Sequence, residues 1–264
     1  MSKPKGTPLA LNLLVLGVMV FLLLPIVIIV PLAFSNDPAM TYPPRGFSLR
    51  WFAAAMSRQE FLDAFFLSAR LAVVTTAISL SCGGLAAYAL TRYRFRGRAI
   101  CEAIFLSPLI IPTVVIAIAL TMVFAQAGLL RSFWGLVIAH VIMTLPYTVR
   151  VLTASLSEVG RDVEEAAMVL GATPVRMLIH VLLPLLRPGI IAAAIFSLII
   201  SFDEFTVTLF LGGPGLYTLP IAIFNYVEFY SDPTIAAVSI LLLGLTCIAI
   251  ALIERFAGLQ RVFK

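Results

Sequence analysis

From Ala103 to Leu130 the chain carries no charged residue, and the same holds for Leu9–Phe34, Leu71–Thr91, Ser132–Val149, Phe205–Val227 and Pro233–Ile253. A helix rises 1.5 Å per residue, so crossing about 30 Å of hydrocarbon takes roughly 20 apolar residues. Runs of this length suit a bilayer better than an aqueous core. Composition agrees, with 61% of the 264 residues hydrophobic and only 12% charged, at a mean hydropathy of +1.08; soluble domains carry about twice that share of charge.

Pro188–Phe202 is also uncharged but short, and reaches spanning length only by continuing through Asp203 and Glu204. This predicts a fifth span over about 189–211 that contains an acidic pair. Gly212-Gly213-Pro214-Gly215 then stops any helix, which makes Leu219–Phe229 a short interfacial or re-entrant piece. The expected fold is all-α and polytopic with six transmembrane helices. Residues 1–65 form an anchor helix and an external segment, and residues 66–264 a five-helix core.

Lysine and arginine accumulate in cytoplasmic loops. With the N-terminus inside, Lys3, Lys5, Arg92, Arg94, Arg96, Arg98, Arg150, Arg161, Arg176, Arg187, Arg255, Arg261 and Lys264 are cytoplasmic. Arg45, Arg50, Arg58 and Arg131 are external, a balance of 13 to 4 that puts both termini in the cytoplasm, with Arg70 near a helix end. The net charge of +5 is then met by anionic lipid and calls for no nucleic acid. The first apolar run follows two lysines as a secretory signal would, but it lacks an A-x-A cleavage pattern and is expected to remain as an anchor. Cys82, Cys101 and Cys247 are far apart and suggest neither a metal site nor a disulfide framework.

Ser35–Phe65 reads as an external cap with an amphipathic stretch at Leu49–Phe65, where Trp51 suits an interface. Ser79, Gly83 and Ala87 make a small-residue stripe for close helix packing. The alternation of aromatics and arginines from Tyr93 to Arg98 is explained by a short cytoplasmic loop. Pro108, Pro112 and Pro146 remove backbone donors and are expected to bend their helices.

Between the fourth and fifth spans, residues 150–187 are too charged to cross a membrane and too few for a domain. Asp162 and Glu165 have the spacing of an Asp-led capping box, and Glu164 and Glu165 suit a positive helix end. Gly171 supplies a left-handed stop, and Thr173-Pro174 an N-cap followed by proline at the first helical position. The prediction is a helix-turn-helix elbow at about 161–184, in which Ala166 and Ala167, flanked by Met168 and Leu170, form a compact knob for a groove on another protein.

Glu165-Ala166-Ala167, Gly171 and Val181-Leu182-Leu183-Pro184 resemble the EAA loop of binding-protein-dependent ABC importer permeases, with valine where isoleucine is usual. The likeness extends from about Phe66 to Ile253. It implies a type I importer permease fold in a bacterial cytoplasmic (inner) membrane, with the elbow docking on separate ATPase subunits through Glu164, Glu165, Ala166, Ala167, Met168, Leu170, Gly171 and Ala172. It further implies two such subunits, a second permease chain, and a periplasmic or extracellular solute-binding protein. Tyr93-Arg94-Phe95-Arg96-Gly97, Ser201-Phe202-Asp203-Glu204-Phe205 and Gly213-Pro214 followed by Thr218-Leu219-Pro220 look like the spermidine/putrescine branch, phrases that related importers of opines and other organic solutes share. No G-x-x-x-x-G-K-[ST] loop occurs, so the chain is expected not to be an enzyme and to hold no cofactor, ATP and magnesium belonging to the partner subunits.

Inserting an aspartate at the centre of a span costs about 2.5–3.5 kcal/mol, so intramembrane acids usually face a cavity or a partner. On a continuous helix Glu204 shares a face with Ala193, Ser197, Ser201 and Thr208, and Asp203 lies about 100° round. Asp203, Glu204, Ser201 and Ser197 are therefore the expected substrate path, suited to a small organic cation; an interfacial position with hydrogen bonds to neighbouring helices is the competing reading. A two-aspartate protease would need acids on facing helices, and His140 and His180 lie in different compartments with no second ligand beside either. A secondary transporter remains the alternative, although no internal repeat is evident.

Overall fold

The computed structural model describes residues 9–257, with the side chains of residue 9 and of residues 11–248. Lys3, Lys5, Arg261, Lys264 and both termini, on which the orientation partly rests, lie outside the described residues, as does the Arg255 side chain. The described secondary structure is helical throughout. In order it runs α1 (Leu9–Ala33), α2 (Arg50–Ser57), α3 (Gln59–Arg92), α4 (Arg98–Leu106), a 3-10 turn at Ser107–Leu109, α5 (Thr113–Ala127) and α6 (Phe133–Glu158). It continues with α7 (Arg161–Val169), α8 (Pro174–Met177), a π-helical turn at Leu178–Leu182, α9 (Leu183–Leu185), α10 (Arg187–Asp203), α11 (Thr206–Leu211), α12 (Leu219–Phe229) and α13 (Thr234–Ala257).

Three helices are long and apolar enough to cross a membrane, Leu11–Ala33, Gln59–Arg92 and Phe133–Glu158, and two bent pairs bring the number to as many as five. The third expected span is one of these pairs: α4 with its 3-10 turn meets α5 at 103°. The sharp break follows from Pro108 and Pro112, each of which removes a backbone donor. In α6, by contrast, the helix runs unbroken through Pro146.

The fifth expected span, drawn over about 189–211, is not one helix. α10 stops at Asp203, Glu204 is extended, and α11 starts at Thr206. The break contains neither proline nor glycine. Its cause is Glu204 itself, whose carboxylate accepts the Val207 N–H at 2.9 Å and so caps a new helix in place of continuing the old one. The amphipathic stretch Leu49–Phe65 is likewise divided, with Arg58 extended between α2 and α3.

The described residues form two compact units, 9–59 with Asn225–Cys247 and Glu60–Phe224 with 248–257. In the first, Leu32 and Ala33 of α1 pack with Ala236 and Ala237 of α13, which is why part of the C-terminal sequence groups with the N-terminal helix. Trp51 donates its ring N–H to the Ser35 carbonyl at 2.8 Å. Arg58 lies over the rings of Tyr226 and Tyr230, and the Tyr226 hydroxyl donates to Asp232 at 2.7 Å.

The larger unit is organised on α6, with α3 and α10 laid against it. The stripe Ser79, Gly83 and Ala87 is buried, and the Ser79 and Thr144 hydroxyls are 2.6 Å apart across α3 and α6. At the start of α10, Gly189 is packed so tightly that a Cβ would meet the Ser155 side chain. Close backbone approach of this kind is how helices associate where lipid supplies no hydrophobic push. Arg70 stacks over Phe133, 4.5 Å from the ring centroid.

Candidate coupling elbow

The elbow begins where α6 runs out. Val159 is extended, and Gly160 is the N-cap of α7 without a side-chain cap. The expected capping box of Asp162 and Glu165 does not form, because α7 already starts at Arg161 and puts Asp162 inside its first turn. A Cβ at Gly160 would meet the Asp162 carboxylate where it stands, so any larger residue there would turn that exposed side chain aside. The acids in the first turn, Asp162 and Glu164, still complement the positive end of the helix.

At the other end the sequence expectation holds in detail. Gly171 has φ +88°, and its N–H reaches the Met168 carbonyl at 3.0 Å while the Ala172 N–H reaches Ala167 at 3.0 Å. This pair of bonds is a Schellman closure, which satisfies two orphan carbonyls and favours glycine at the left-handed position. The Thr173 hydroxyl then accepts from the Arg176 N–H at 3.3 Å with Pro174 next in line, and α8 starts in a new direction. The residues at this turn, 168–171 and 173–176, are exposed.

Apolar side chains occupy that corner. Val169 and Leu170 are each 87% exposed, and Met168, Val175 and Ile179 are exposed beside them. Glu165, Ala166 and Gly171 share the exposed surface, whereas Ala167 and Ala172 are half-buried against a cluster of Ala87, Leu152, Leu156, Met177 and Leu182. Of the eight residues expected at this site, Glu164 alone is buried, turned into its own chain, where Arg92 holds it in an ion pair. Val169 was missing from the expected set, although its neighbours on both sides were in it. Tyr88, Arg92 and Arg161 were also missing: they approach Glu164 or the end of α3 only through the tertiary fold, and in sequence Arg92 and Arg161 count only as cytoplasmic cations.

The expected substrate-path residues are not gathered on one surface. Ser197 and Ser201 are fully buried on α10. The Ser201 hydroxyl lies 2.9 Å from Nδ1 of His140, and the Thr208 hydroxyl 2.9 Å from Nε2 of the same ring. The polar stripe therefore faces α6 of the same chain and meets a histidine that sequence reasoning had weighed only as a metal ligand. Asp203 is exposed and Glu204 half-buried.

An exposed apolar elbow on a helical membrane bundle fits a chain built to be moved by something else. Comparison with known families matches residues 79–258 to the binding-protein-dependent transport system inner membrane component. The chain belongs to that family. It is the permease component of an ABC importer, a multi-pass inner-membrane protein that is not itself an ATPase. The spermidine/putrescine transport system permease protein PotC of Haemophilus influenzae is 30% identical to this permease over 242 residues, 91% of this chain and 93% of that one. A chain of Salmonella paratyphi A provisionally described as a 2-aminoethylphosphonate transport system permease protein, PhnV, is 30% identical over 256 residues, 96% of each. In three dimensions the permease is similar to a crystal structure of a bacterial ABC transporter involved in the import of the acidic polysaccharide alginate, with TM-score 0.71, 18% identity, and coverage of 99% of this chain and 100% of the other.

Proposed function

We propose that this permease forms half of the translocation path of an ATP-driven importer of a small organic cation of the polyamine class. Its elbow is the point on which ATPase subunits act. Two ATPase subunits, a second and homologous permease chain, and an external solute-binding protein complete the assembly, and ATP and magnesium reside in the ATPases. The chain crosses the membrane six times with both termini in the cytoplasm, 1–65 serving as anchor and external segment and 66–264 as core.

The observation that carries the docking part is the exposure of Val169 and Leu170 at a corner locked by Gly171. Apolar residues held out of the bundle on a rigid turn are suited to a protein groove. Glu165, Ala166, Met168, Leu170 and Gly171 offer the contact surface, with Ala167 and Ala172 as its packed base and Glu164 behind it.

The substrate part is supported by PotC and by charge. PotC and the phosphonate-type relative are equally identical to this chain, so identity does not separate their solutes. Asp203 and Glu204 attract ammonium groups and repel a phosphonate. Ser197 and Ser201 contribute to the path from behind, through the packing that sets the end of α10. An aminophosphonate is the second reading, carried by the PhnV likeness.

Two experiments test this. Purification of the permease brings down the ATPase subunits, and Gly171→Asp reduces both that recovery and solute-stimulated hydrolysis; unchanged values for both refute the docking role. Thermal stabilisation of the cognate binding protein by putrescine, spermidine, 2-aminoethylphosphonate, amino acids and opines reports the solute, and stabilisation by the phosphonate alone refutes the polyamine reading.

A further inference from the structure

We infer that Glu164 and Arg92 form a transmission joint that makes the elbow move with α3 and α6, Glu164 acting inward as a positioning residue while its neighbour Glu165 acts outward. The inference rests on the elbow being the ATPase docking point. Four groups meet at this node. Arg92 Nε contacts a Glu164 carboxylate oxygen at 2.5 Å, each side chain being only 8% exposed. A second Arg92 nitrogen donates to the Val159 carbonyl at 2.8 Å. The Tyr88 hydroxyl donates to the other Glu164 oxygen at 3.2 Å. From α7, Arg161 returns the connection by donating to the carbonyls of Thr91 and Arg92.

The C-terminal end of α3, the end of α6 and the first turns of α7 are thus tied reciprocally. A planar guanidinium does this well, because its fixed fork can hold a carboxylate and a carbonyl together. The carbonyls at the end of α3 in turn favour the Arg161 cation. Apolar packing of Ala167 and Ala172 against Ala87, Leu152 and Leu156 accompanies the tie, but it is non-directional and incomplete. An apolar cavity of about 440 Å³ opens between α3, α6 and the segment that follows the elbow, bordered by Gly84, Tyr88, Leu156 and Leu182. Where packing leaves room to slide, directional bonds keep register. A buried ion pair is weak as a source of net stability, and its best-attested use is to fix one arrangement, which is what a lever pivot requires.

The test uses the whole importer, with permease chains and ATPase subunits reconstituted in liposomes. Cys82, Cys101 and Cys247 are replaced by serine, and a single cysteine replaces the exposed Trp134. Three quantities are read: ATPase recovered with the permease, basal ATP hydrolysis, and the vanadate-dependent change in labelling of that cysteine by a membrane-impermeant maleimide. Glu164→Gln and Arg92→Gln are expected to keep the first two and to reduce the third about tenfold, an ordinary size for coupling between sites. The double variant is expected to be no worse than the worse single, because both remove one interaction, and Glu164→Asp to recover part of the response. Glu165→Gln is expected to lower ATPase recovery instead. A normal labelling response in either Gln variant, or losses that multiply in the double, overturns the joint with the ATPase still bound. A parent complex that recovers no ATPase overturns the docking reading and the joint with it. If the Gln variants do not fold, Arg92→Lys keeps the charge but gives up the fork to Val159; it is expected to lose part of the response, and a full response overturns the joint.

Discussion

Gly83 of α3 faces Thr148 of α6 so closely that a Cβ added to the glycine would stand 2.7 Å from Thr148 Cγ2. Gly83→Val therefore forces the two helices apart, and overpacking of this kind costs about 1–3 kcal/mol. A melting temperature lower by several degrees is expected for the purified permease, at roughly 2–4 °C per kcal/mol in a chain of this size. Thr148→Ser, which deletes the offending methyl, is expected to restore part of the loss. A Gly83→Val variant that melts with the parent removes the claim that the contact sets the spacing of α3 and α6.

Gly171 presents a different case, because nothing lies within 4 Å of the position its Cβ would take, while its φ of +88° is left-handed. The penalty for substitution is conformational rather than steric, about 1–2 kcal/mol for an ordinary L-residue and less for asparagine. ATPase recovery with the permease is expected to fall in the order glycine, asparagine, alanine, valine. A valine variant that recovers as much ATPase as asparagine contradicts the Schellman closure as the source of the elbow's rigidity.

Asp203 and Glu204 are expected to separate under mutation. Glu204 caps α11 through the Val207 N–H, so Glu204→Ala removes a cap and loses about 1 kcal/mol of stability, visible as a lower melting temperature. Asp203 is exposed; Asp203→Asn is expected to leave melting unchanged while weakening uptake of putrescine more than uptake of a neutral analogue. Equal losses for both solutes reject a cation-attracting role.

His140 spends both ring nitrogens on Ser201 and Thr208. His140→Leu strands two buried hydroxyls, at about 1–3 kcal/mol, whereas His140→Gln can keep a donor and an acceptor. The glutamine variant is expected to melt above the leucine variant, and the reverse order refutes the bridge.

Asp232 supplies a pH dependence outside the spans. Burial opposes its ionisation, but hydrogen bonds from Thr234 and Tyr226 and the nearby Arg58 cation outweigh that and hold the carboxyl below its ordinary 3.8. Since the folded value is the lower one, the stability Asp232 contributes is complete above the ordinary value and is lost as acidification passes through the folded value. Thermal unfolding followed downward from about pH 5 is expected to fall less steeply in Asp232→Asn than in the parent. Parallel curves contradict the assignment.

What could be read from the sequence was what neighbours in the chain decide for one another. Gly171, Thr173 and Pro174 write the elbow in local backbone chemistry, and the structure follows them. The proline-rich bend before α5 was legible for the same reason. The placing of Glu164 was not, because its partner lies 72 residues away and the spacing of two adjacent glutamates does not say which one turns inward. The division of the fifth span was missed because its breaker, Glu204, acts through its own side chain and carries no proline or glycine signal. His140 was visible only as a lone titratable group; the hydroxyls that complete it come from two later helices, Ser201 on α10 and Thr208 on α11.

The corner of 103° between α4 and α5 sets a requirement on its surroundings. Two helices that end facing each other turn their terminal amides and carbonyls toward the gap, and hydrocarbon has nothing to offer such groups. The backbone of residues 107–112 thus needs protein or water beside it rather than acyl chains, so the same prolines that fold the span also fix where its surroundings must supply polar partners.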